Sequence, residues 1–359
     1  MGSSETSIAF EASLFDVLRT GLRITRGSPR LTARTVRLLW RQKRAAGRRD
    51  RAEARGVHVP PFVIYSVTGR CNLQCAGCYA NLLHRQDGPE LTPERTAELL
   101  VEAKDLGVSV MLLAGGEPLL RQDLLDQIER RPELLFLLFS NGSLLDEARI
   151  ERLRRMPHVV PVLSLEGGEA ETDERRGNGT YEHVTAALDR LAASGTFFGT
   201  SATLTCRNFD RATDEAHLRR LIARGCRLFY FINYVPVAPG TDDLQLEEAQ
   251  VAELERRLAL YRRTLGALFI AFPHDEMALG GCLAAGRGFV HINAYGAVEP
   301  CPFSPYSDSD LTEMSLEQAL GSELFRTIRD SGKLDEADGR CALWKKREWV
   351  AELERKQPR

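Results

Sequence analysis

Six of the eight cysteines in this 359-residue chain fall into two sets with spacings suited to metal binding. The first set is Cys71, Cys75 and Cys78, separated by three and then two residues within one short segment. Thiolates that converge in one loop hold iron-sulfur clusters, and three of them leave one iron of a 4Fe-4S cube open to another ligand. The alternative is a tetrahedral zinc site with His84 as the fourth ligand.

The second set is spread over the last eighty residues. Cys282 is followed by thirteen residues, then Gly296, four further residues and Cys301, and Cys341 comes forty residues later. Residues 291–299 read as a β-hairpin with glycine in the turn, which would bring the first two of these thiols together. The spacing therefore predicts a second metal site. We interpret the remaining cysteines, Cys206 and Cys226, as buried core residues.

Polar and glycine residues follow three predicted strands where each strand ends. Glycines without side chains let a ligand lie against the main chain, and Glu117 can accept a hydrogen bond from an ammonium group. Ser164 and Glu166 offer a hydroxyl and a carboxylate suited to a ribose, and Arg176 can pair with a carboxylate. Together they predict one ligand that carries an amine, a ribose and a carboxylate. The candidate residues are Gly115, Gly116, Glu117, Asn141, Ser164, Glu166 and Arg176.

The elements that must position these residues alternate between β-rich runs and amphipathic helical stretches, which is typical of repeated βα units. Strands are predicted at 62–67, 108–113, 134–139, 159–165, 197–204 and 228–235, and helices at 93–106, 122–131, 146–155, 181–194, 213–224 and 247–265. Six units are too few to close an eight-stranded barrel. We expect an α/β fold, an open partial (β/α)6 TIM-type barrel whose chemistry lies at the carboxyl ends of the strands.

The Cys-x3-Cys-x2-Cys loop after the first strand, followed by Gly-Gly-Glu-Pro after the second, resembles the radical S-adenosylmethionine (radical SAM) superfamily over residues 61–237. The resemblance implies that Cys71, Cys75 and Cys78 hold a 4Fe-4S cluster, whose open iron takes the amino and carboxylate groups of S-adenosylmethionine. Electron transfer from the cluster then cleaves the sulfonium to a 5'-deoxyadenosyl radical, which abstracts hydrogen from a substrate. The cofactor supplies this chemistry, and the protein supplies orientation and excludes water.

The resemblance also assigns roles to the strand-end residues. Gly115, Gly116 and Glu117 would bind the amine of S-adenosylmethionine, and Ser164, Glu166 and Arg176 match the ribose and carboxylate positions. The chain departs from the family pattern at two positions. Gly77 stands where an aromatic residue is usual, so contact with adenine passes to Tyr79, and Glu166 stands where aspartate is usual.

The second cysteine set resembles the auxiliary-cluster domains called SPASM and Twitch. The full SPASM motif carries further cysteines, and the partner expected in a Cys-x2-Cys pair with Cys341 is Trp344, which cannot ligate iron. We therefore expect a shortened, Twitch-like module with an auxiliary 4Fe-4S cluster and either a non-cysteine fourth ligand or an open iron. A structural zinc that uses His274 or His291 is the alternative.

Residues 19–55 carry 13 Lys and Arg against 2 Asp and Glu, although the formal charge of the chain is only −2. The arginines recur every three or four residues in two helical pieces, so each helix has one basic face. Three roles fit this pattern: a solvated face packed on the next domain, peripheral contact with anionic lipid, or contact with nucleic acid or an acidic protein.

The resulting prediction has three domains: basic N-terminal helices at 1–60, a radical SAM core at 61–265 and an auxiliary-cluster domain at 266–359. We expect an oxidoreductase that oxidises or cross-links a peptide, a lipid or a small molecule, with reduced flavodoxin or ferredoxin as electron donor. A transferase without net oxidation and a zinc-stabilised protein that binds RNA or membrane are the alternatives, although no nucleic acid is expected as a partner.

The composition limits where such a protein acts. No apolar stretch approaches the roughly 18 to 20 residues that a membrane-spanning helix needs. No apolar signal segment is apparent, and eight cysteines in a chain this long do not suggest a secreted disulfide framework. We expect a cytoplasmic enzyme, with membrane association through the N-terminal arginine faces as an open question.

Overall fold

The computed structural model describes residues 3–27, 29–83, 88–335 and 338–356. Nine strands form one curled, half-barrel sheet in the order β7-β6-β5-β4-β3-β2-β1-β8-β9. All neighbouring strands are parallel except β9, which is antiparallel to β8. The strands are β1 (Phe62–Thr68), β2 (Val110–Gly115), β3 (Leu135–Ser140), β4 (Val159–Ser164), β5 (Gly199–Leu204), β6 (Leu228–Asn233), β7 (Leu268–Phe272), β8 (Phe289–Ile292) and β9 (Val298–Glu299).

The helices between the strands cover the outside of this sheet, as right-handed crossovers between parallel strands require. The helices are α1 (Ser3–Thr25), α2 (Pro29–Glu53), α3 (Tyr79–Leu83), α4 (Pro93–Leu106), α5 (Leu124–Glu129), α6 (Glu147–Arg155), α7 (Glu169–Arg176), α8 (Thr180–Ser194), α9 (Phe209–Ala212), α10 (Glu215–Ala223), α11 (Glu248–Thr264), α12 (Leu316–Leu320), α13 (Glu323–Asp330), α14 (Ala342–Lys345) and α15 (Arg347–Lys356). Their ends follow ordinary capping chemistry. At α4, the Thr92 side chain accepts from the Arg95 amide and Gly107 ends the helix in the left-handed region.

The predicted α/β partial barrel is confirmed, and each of the six predicted strands is present. The predicted number of strands was too low. β7 extends the sheet beside β6 as a seventh parallel strand, and β8 pairs with the opposite side of β1, Phe62 opposite Phe289. β7 is five residues long and β8 four, so neither shows enough periodicity in sequence to be separated from a short buried segment.

The two basic N-terminal helices close the bottom of the barrel, where the strands begin. A largely apolar cavity of about 120 Å³ lies between α1, α2 and the first residues of the strands. Arg49 on α2 is buried, pairs with Glu11 on α1 at 2.6 Å and donates to the Gly107 carbonyl at 2.5 Å. The helix-break-helix prediction is therefore confirmed, and part of the basic face packs on the barrel.

The rest of that basic face remains in solvent. Val36 and Trp40 are 52% and 59% exposed on α2, and the Arg44 guanidinium lies 4.1 Å from the centre of the Trp40 ring. Across the residues described above, no helix combines the length and the apolar character needed to cross a bilayer. The predicted division at residues 60 and 265 stays a prediction, and the sheet continues across the second boundary through β7 and β8.

Candidate active site

A cavity of about 230 Å³ opens at the carboxyl ends of the parallel strands, as expected for a barrel of this kind. Its wall includes residues from the ends of β2 to β7, among them Gly115, Ser140 and Ser164. The side chains of both cysteine sets reach this same cavity. They are Cys71, Cys75, Cys78, Cys282, Cys301 and Cys341. The structure thus brings together two sets that are separated by about two hundred residues in sequence.

The first cysteine loop is held against the end of β2 by main-chain hydrogen bonds. The Gly116 amide donates to the Thr68 carbonyl at 2.8 Å, and the Glu117 amide donates to the Arg70 carbonyl at 2.9 Å. A side chain at Gly116 would place its Cβ 1.9 Å from the Arg70 oxygen. Gly115 and Gly116 both line the cavity. Gly116 must be a glycine even without a ligand, because the cysteine loop leaves no space for a side chain there.

Glu117 joins the ends of two strands. Its carboxylate is buried and accepts from the Leu119 amide at 3.1 Å, the Ser140 hydroxyl at 2.9 Å and the Asn141 amide at 2.8 Å. Burial raises the pKa of Glu117, although these hydrogen bonds favour the charged form. The carboxylate lines the cavity, so its predicted contact with an ammonium group remains a prediction alongside this structural role.

Asn141 fastens the end of β3 to the cysteine loop. Its side-chain amide donates to the Asn72 oxygen at 2.9 Å, and Asn72 in turn donates to the Ser143 hydroxyl at 2.8 Å. Asn72 lies between Cys71 and Cys75 in the loop. Asn141, predicted from its strand-end position alone, therefore helps to position the thiols as well as line the cavity.

Glu166 lies behind the cavity wall rather than in it. It is fully buried, and its carboxylate accepts from Arg175 at 2.6 Å, from Arg176 at 2.7 Å and from the Thr203 amide at 2.8 Å. Burial acts to raise the pKa of Glu166, but Arg175 and Arg176 outweigh it and hold the pKa below its ordinary value. These contacts give Glu166 a role in positioning the two arginines of α7, and its predicted contact with a ribose stays a prediction.

The two arginines do line the cavity, together with Ser164. Arg176 lies between Glu166 and the first cysteine loop, with Nη1 3.9 Å from the Cys75 sulfur. The Ala76 amide donates to the Arg175 carbonyl at 2.8 Å, which ties α7 to the loop. Positive charge beside a thiolate or a ligand carboxylate is stabilising, so this end of α7 suits an anionic ligand group. Arg175 was not among the predicted site residues.

Two tyrosines account for the departure from the family pattern at Gly77. A side chain at Gly77 would place its Cβ 2.7 Å from the Tyr234 hydroxyl oxygen, so Tyr234 already fills that space. Tyr79 points the other way, and its ring centre lies 5.2 Å from that of Phe303, edge to face. Burial raises the pKa of Tyr79. Both Tyr79 and Phe303 line the cavity, and the pair lies between the two cysteine sets.

The second set approaches the cavity from the predicted hairpin, which is present as β8 and β9. Cys282 and Cys301 are buried, Cys341 is partly exposed, and all three line the cavity. Burial raises the pKa values of Cys282 and Cys301 well above the ordinary thiol value. A bound metal would compensate this cost, because metal ligation favours the thiolate.

The two histidines considered for zinc at the second site lie away from the cavity that the cysteines share. His291 is fully buried, with one ring nitrogen 2.6 Å from Glu299 and the other 2.8 Å from Ser66. His274 bonds to Glu255 at 2.7 Å. Neither histidine lines the cavity that the cysteines share. His84, the fourth ligand considered for the first set, lies outside the described residues.

The donor chemistry of both cysteine sets suits an iron-sulfur cube. Within the described ranges, no three His, Cys, Asp or Glu side chains converge tightly enough to hold one metal ion. A cube has no such requirement, since each thiolate binds a different iron at a different corner. Three thiols around one cavity wall are therefore a suitable set for a cube with one further ligand.

Sequence reasoning missed Arg175 and Phe303, which line this cavity. Tyr234 and the loop Pro273 to Glu276 are candidates for the substrate cavity from their positions in sequence, and Pro273 and Glu276 do line it. Glu276 is buried beside Cys282, and burial raises its pKa to about 7. Its position in a loop after β7 carries no motif. Tyr234 had a weak signal, because it follows β6 directly where strand-end residues approach the site.

Comparison with known proteins places this geometry in context. Residues 65–228 match the Radical SAM superfamily. AdoMet-dependent heme synthase of Methanosarcina barkeri is 25% identical over 318 residues, covering 80% of this chain and 88% of that protein. PqqA peptide cyclase of Granulibacter bethesdensis is 27% identical over 268 residues, covering 68% of each.

A solved structure, Streptococcus suis SuiB bound to S-adenosylmethionine, matches with a TM-score of 0.65 at 19% identity. The match covers 84% of this chain and 73% of SuiB, and at this identity it shows the fold alone. The matched family range contains the first cysteine loop and the ends of β2 to β4. Residues 65–228 form a radical SAM domain, the relatives of the chain support an auxiliary-cluster domain beside it, and enzymes of this superfamily use S-adenosylmethionine and a 4Fe-4S cluster.

Proposed function

We propose that this enzyme oxidises or cross-links a peptide. Cys71, Cys75 and Cys78 would hold the 4Fe-4S cluster that binds S-adenosylmethionine. Cys282, Cys301 and Cys341 would hold an auxiliary 4Fe-4S cluster. The observation that carries this proposal is that both sets line one cavity of about 230 Å³. When bound, the first cluster and S-adenosylmethionine supply the radical that abstracts hydrogen from the substrate.

The chain's own residues bind and orient the ligands of this reaction. Arg175 and Arg176, held by Glu166, present positive charge beside the first cysteine loop. Ser164 faces the cavity at the end of β4, where its hydroxyl would contact the ribose. Glu117 and Gly115 would face the amine. These are the roles that the resemblance to the family implies for these positions.

The cavity is also lined by aromatic side chains, which would exclude water. Phe139 packs edge to face on Tyr230, and Tyr230 stacks on Phe272, with ring centres 5.2 and 5.9 Å apart. Water exclusion protects a carbon radical from side reactions. The second cysteine set lines the same cavity, where it would hold the group that accepts the electron released on substrate oxidation.

A peptide is the first candidate substrate because the PqqA peptide cyclase is related over two thirds of both chains. A tetrapyrrole-sized small molecule is the second candidate, because the heme synthase match covers 88% of that relative. A lipid is the third candidate, since Val36 and Trp40 lie exposed on a basic helix that would contact anionic lipid.

The exposure and the free state of the cysteines support a proposal for the electron donor and the compartment. Cys71 is exposed at the edge of the cavity, which would admit an electron from a reduced flavodoxin or ferredoxin. All eight cysteines are free, as in a reducing compartment such as the cytoplasm. Peripheral membrane contact would use the exposed face of α2.

The test is anaerobic reconstitution followed by metal analysis and turnover with dithionite. We expect about eight irons in the enzyme and about four in the Cys71→Ala/Cys75→Ala/Cys78→Ala variant. The unsubstituted enzyme should release deoxyadenosine, and the triple variant should release none. Zinc without iron would refute the proposal and favour the binding protein. Equal amounts of deoxyadenosine and oxidised product would separate an oxidoreductase from a transferase.

The substrate class is tested by adding host-cell extract divided into peptide and small-molecule fractions. Stimulation of deoxyadenosine release by the peptide fraction, lost after protease digestion, would support the peptide assignment. Stimulation by the protease-resistant small-molecule fraction would overturn it in favour of the second candidate.

A further inference from the structure

The second cysteine set supplies three thiols, whereas a 4Fe-4S cube has four irons to ligate. Trp344 stands where a Cys-x2-Cys pair with Cys341 would place a fourth cysteine. It lies outside the cavity wall, and the Arg347 guanidinium lies 4.9 Å from the centre of its ring. Any fourth protein ligand must therefore come from another residue that faces the same cavity.

We propose that Glu276 is this fourth ligand, and this inference rests on the proposed auxiliary cluster. Glu276 lies in a short 3-10 helix, His274–Met277, directly after β7. Its side chain is only 3% exposed, and it lines the cavity together with Cys282, Cys301 and Cys341. Three thiolates and one carboxylate complete a four-ligand set.

The carboxylate of Glu276 is held in place by the loop that carries Cys282. The Leu283 amide donates to Glu276 Oε1 at 3.0 Å, and the same cavity wall carries Cys282. The Gly281 amide donates to the Glu276 carbonyl at 3.0 Å, which fixes the short segment between the two residues. Glu276 and Cys282 are thus presented to the cavity as one unit.

Binding of a cluster would change the charge balance around Glu276 and Cys282. Iron binds Cys282 as a thiolate, and the Glu276 carboxylate is buried in the wall of the same cavity. A buried carboxylate needs a compensating cation or hydrogen bonds. The neighbouring cation, Arg287, pairs with Asp335 at 3.0 Å. A cluster iron is the compensating charge that the site itself brings to Glu276.

The test uses the full chain with Cys71→Ala/Cys75→Ala/Cys78→Ala, so that any iron reports on the second site. This parent is compared with the same chain carrying Glu276→Gln, Glu276→Cys or Asp275→Asn. Asp275 is the matched control: it precedes Glu276 in the same turn and binds Arg262 at 2.7 Å, away from the cysteines. Reconstituted proteins are briefly oxidised, and the 3Fe-4S signal is measured by electron paramagnetic resonance.

We expect Glu276→Gln to lose one iron on oxidation several-fold more readily than the parent, because an amide is a poor iron ligand. Glu276→Cys should restore resistance and remove the distinct carboxylate-ligated iron from the Mössbauer spectrum. Asp275→Asn should behave like the parent. Thermal melting of the apo-proteins shows whether any variant has failed to fold.

Each other outcome has a defined meaning. If Glu276→Gln keeps the parent's spectra and oxidation behaviour, Glu276 is not a ligand and the inference is wrong, while the auxiliary cluster stands. If both Gln and Cys variants fold but bind no iron, Glu276 positions the loop and does not ligate, which also overturns the inference. If the parent itself binds no iron, the auxiliary cluster of the proposed function fails first.

Discussion

The buried group formed by Glu166, Arg175 and Arg176 provides a sharp test of the site geometry. Substitution of Glu166 by Gln keeps the shape of the side chain but removes its negative charge. Both guanidinium groups then remain buried beside an uncharged amide, with 16% and 12% of their side-chain surface exposed. Removal of one partner of a buried ion pair typically destabilises a protein by about 3–5 kcal/mol, because the remaining charge is uncompensated.

That free energy corresponds to a measurable shift in melting temperature. Unfolding entropy is about 2.1 cal/mol/K per residue, so a chain of 359 residues gains roughly 0.75 kcal/mol/K on melting. A loss of about 3–5 kcal/mol should therefore lower the melting temperature of Glu166→Gln by about 4–7 °C. Glu174→Gln, an exposed position on the same helix, should stay within about 0.5 kcal/mol of the parent.

The measurement is thermal unfolding of the apo-proteins by circular dichroism, at several pH values. Because the folded pKa of Glu166 lies below its ordinary value, its stabilisation is present above pH 4.5 and is lost as the pH falls through the folded pKa. The gap between parent and Glu166→Gln should narrow in acid. An unchanged melting temperature with greatly weakened S-adenosylmethionine binding would refute the positioning role and support the predicted ribose contact.

Three further predictions test the surroundings of the site. Gly116→Ala forces a Cβ against the Arg70 carbonyl, so we expect the free energy of unfolding to fall by about 1–3 kcal/mol and the first site to lose iron. Gly47→Ala, which has open space in α2, is the control and should be neutral or stabilising. Denaturant titration measures both. Burial lowers the pKa of His217 to about 4. The free energy of unfolding should therefore fall by at most about 1.4 kcal/mol per pH unit as the pH drops from 6.5 towards 4. Acid titration of His217→Gln should show that this slope is lost. Truncation after residue 265 removes β7 and β8, so light scattering should detect aggregation; a soluble, folded fragment would instead favour the predicted domain boundary.

The sequence was sufficient to predict the barrel and the position of the first cysteine loop. Long buried strands alternated with amphipathic helices, and each strand of β1 to β6 was found within a few residues of its predicted range. The six candidate thiols line the cavity. They could be selected from the sequence because cysteine spacing is a local signal that one sequence shows. Gly115, Glu117 and Ser164 were selected because they follow or end predicted strands, and all three line the same cavity.

The partners of these residues were not predictable, because they depend on contacts between distant parts of the chain. Glu166 was assigned to a ligand from its position after β4, but two arginines on the next helix occupy its carboxylate. Glu276 lies in a loop without a motif, and its relation to Cys282 depends on how that loop folds back. Such assignments need geometry, since residue type and spacing are the same whether a carboxylate binds a ligand or a neighbour.

The pairing of β8 with β1 explains why the two cysteine sets share one cavity. Phe289 to Ile292 run parallel to Phe62 to Tyr65, so the hairpin after β8 emerges at the same end of the barrel as the loop after β1. The turn of that hairpin then contacts the loop: a Cβ at Gly69 would lie 2.7 Å from the Tyr295 hydroxyl oxygen. Because the second module shares a sheet with the first, the distance between the two sites is determined by strand register rather than by docking of separate domains.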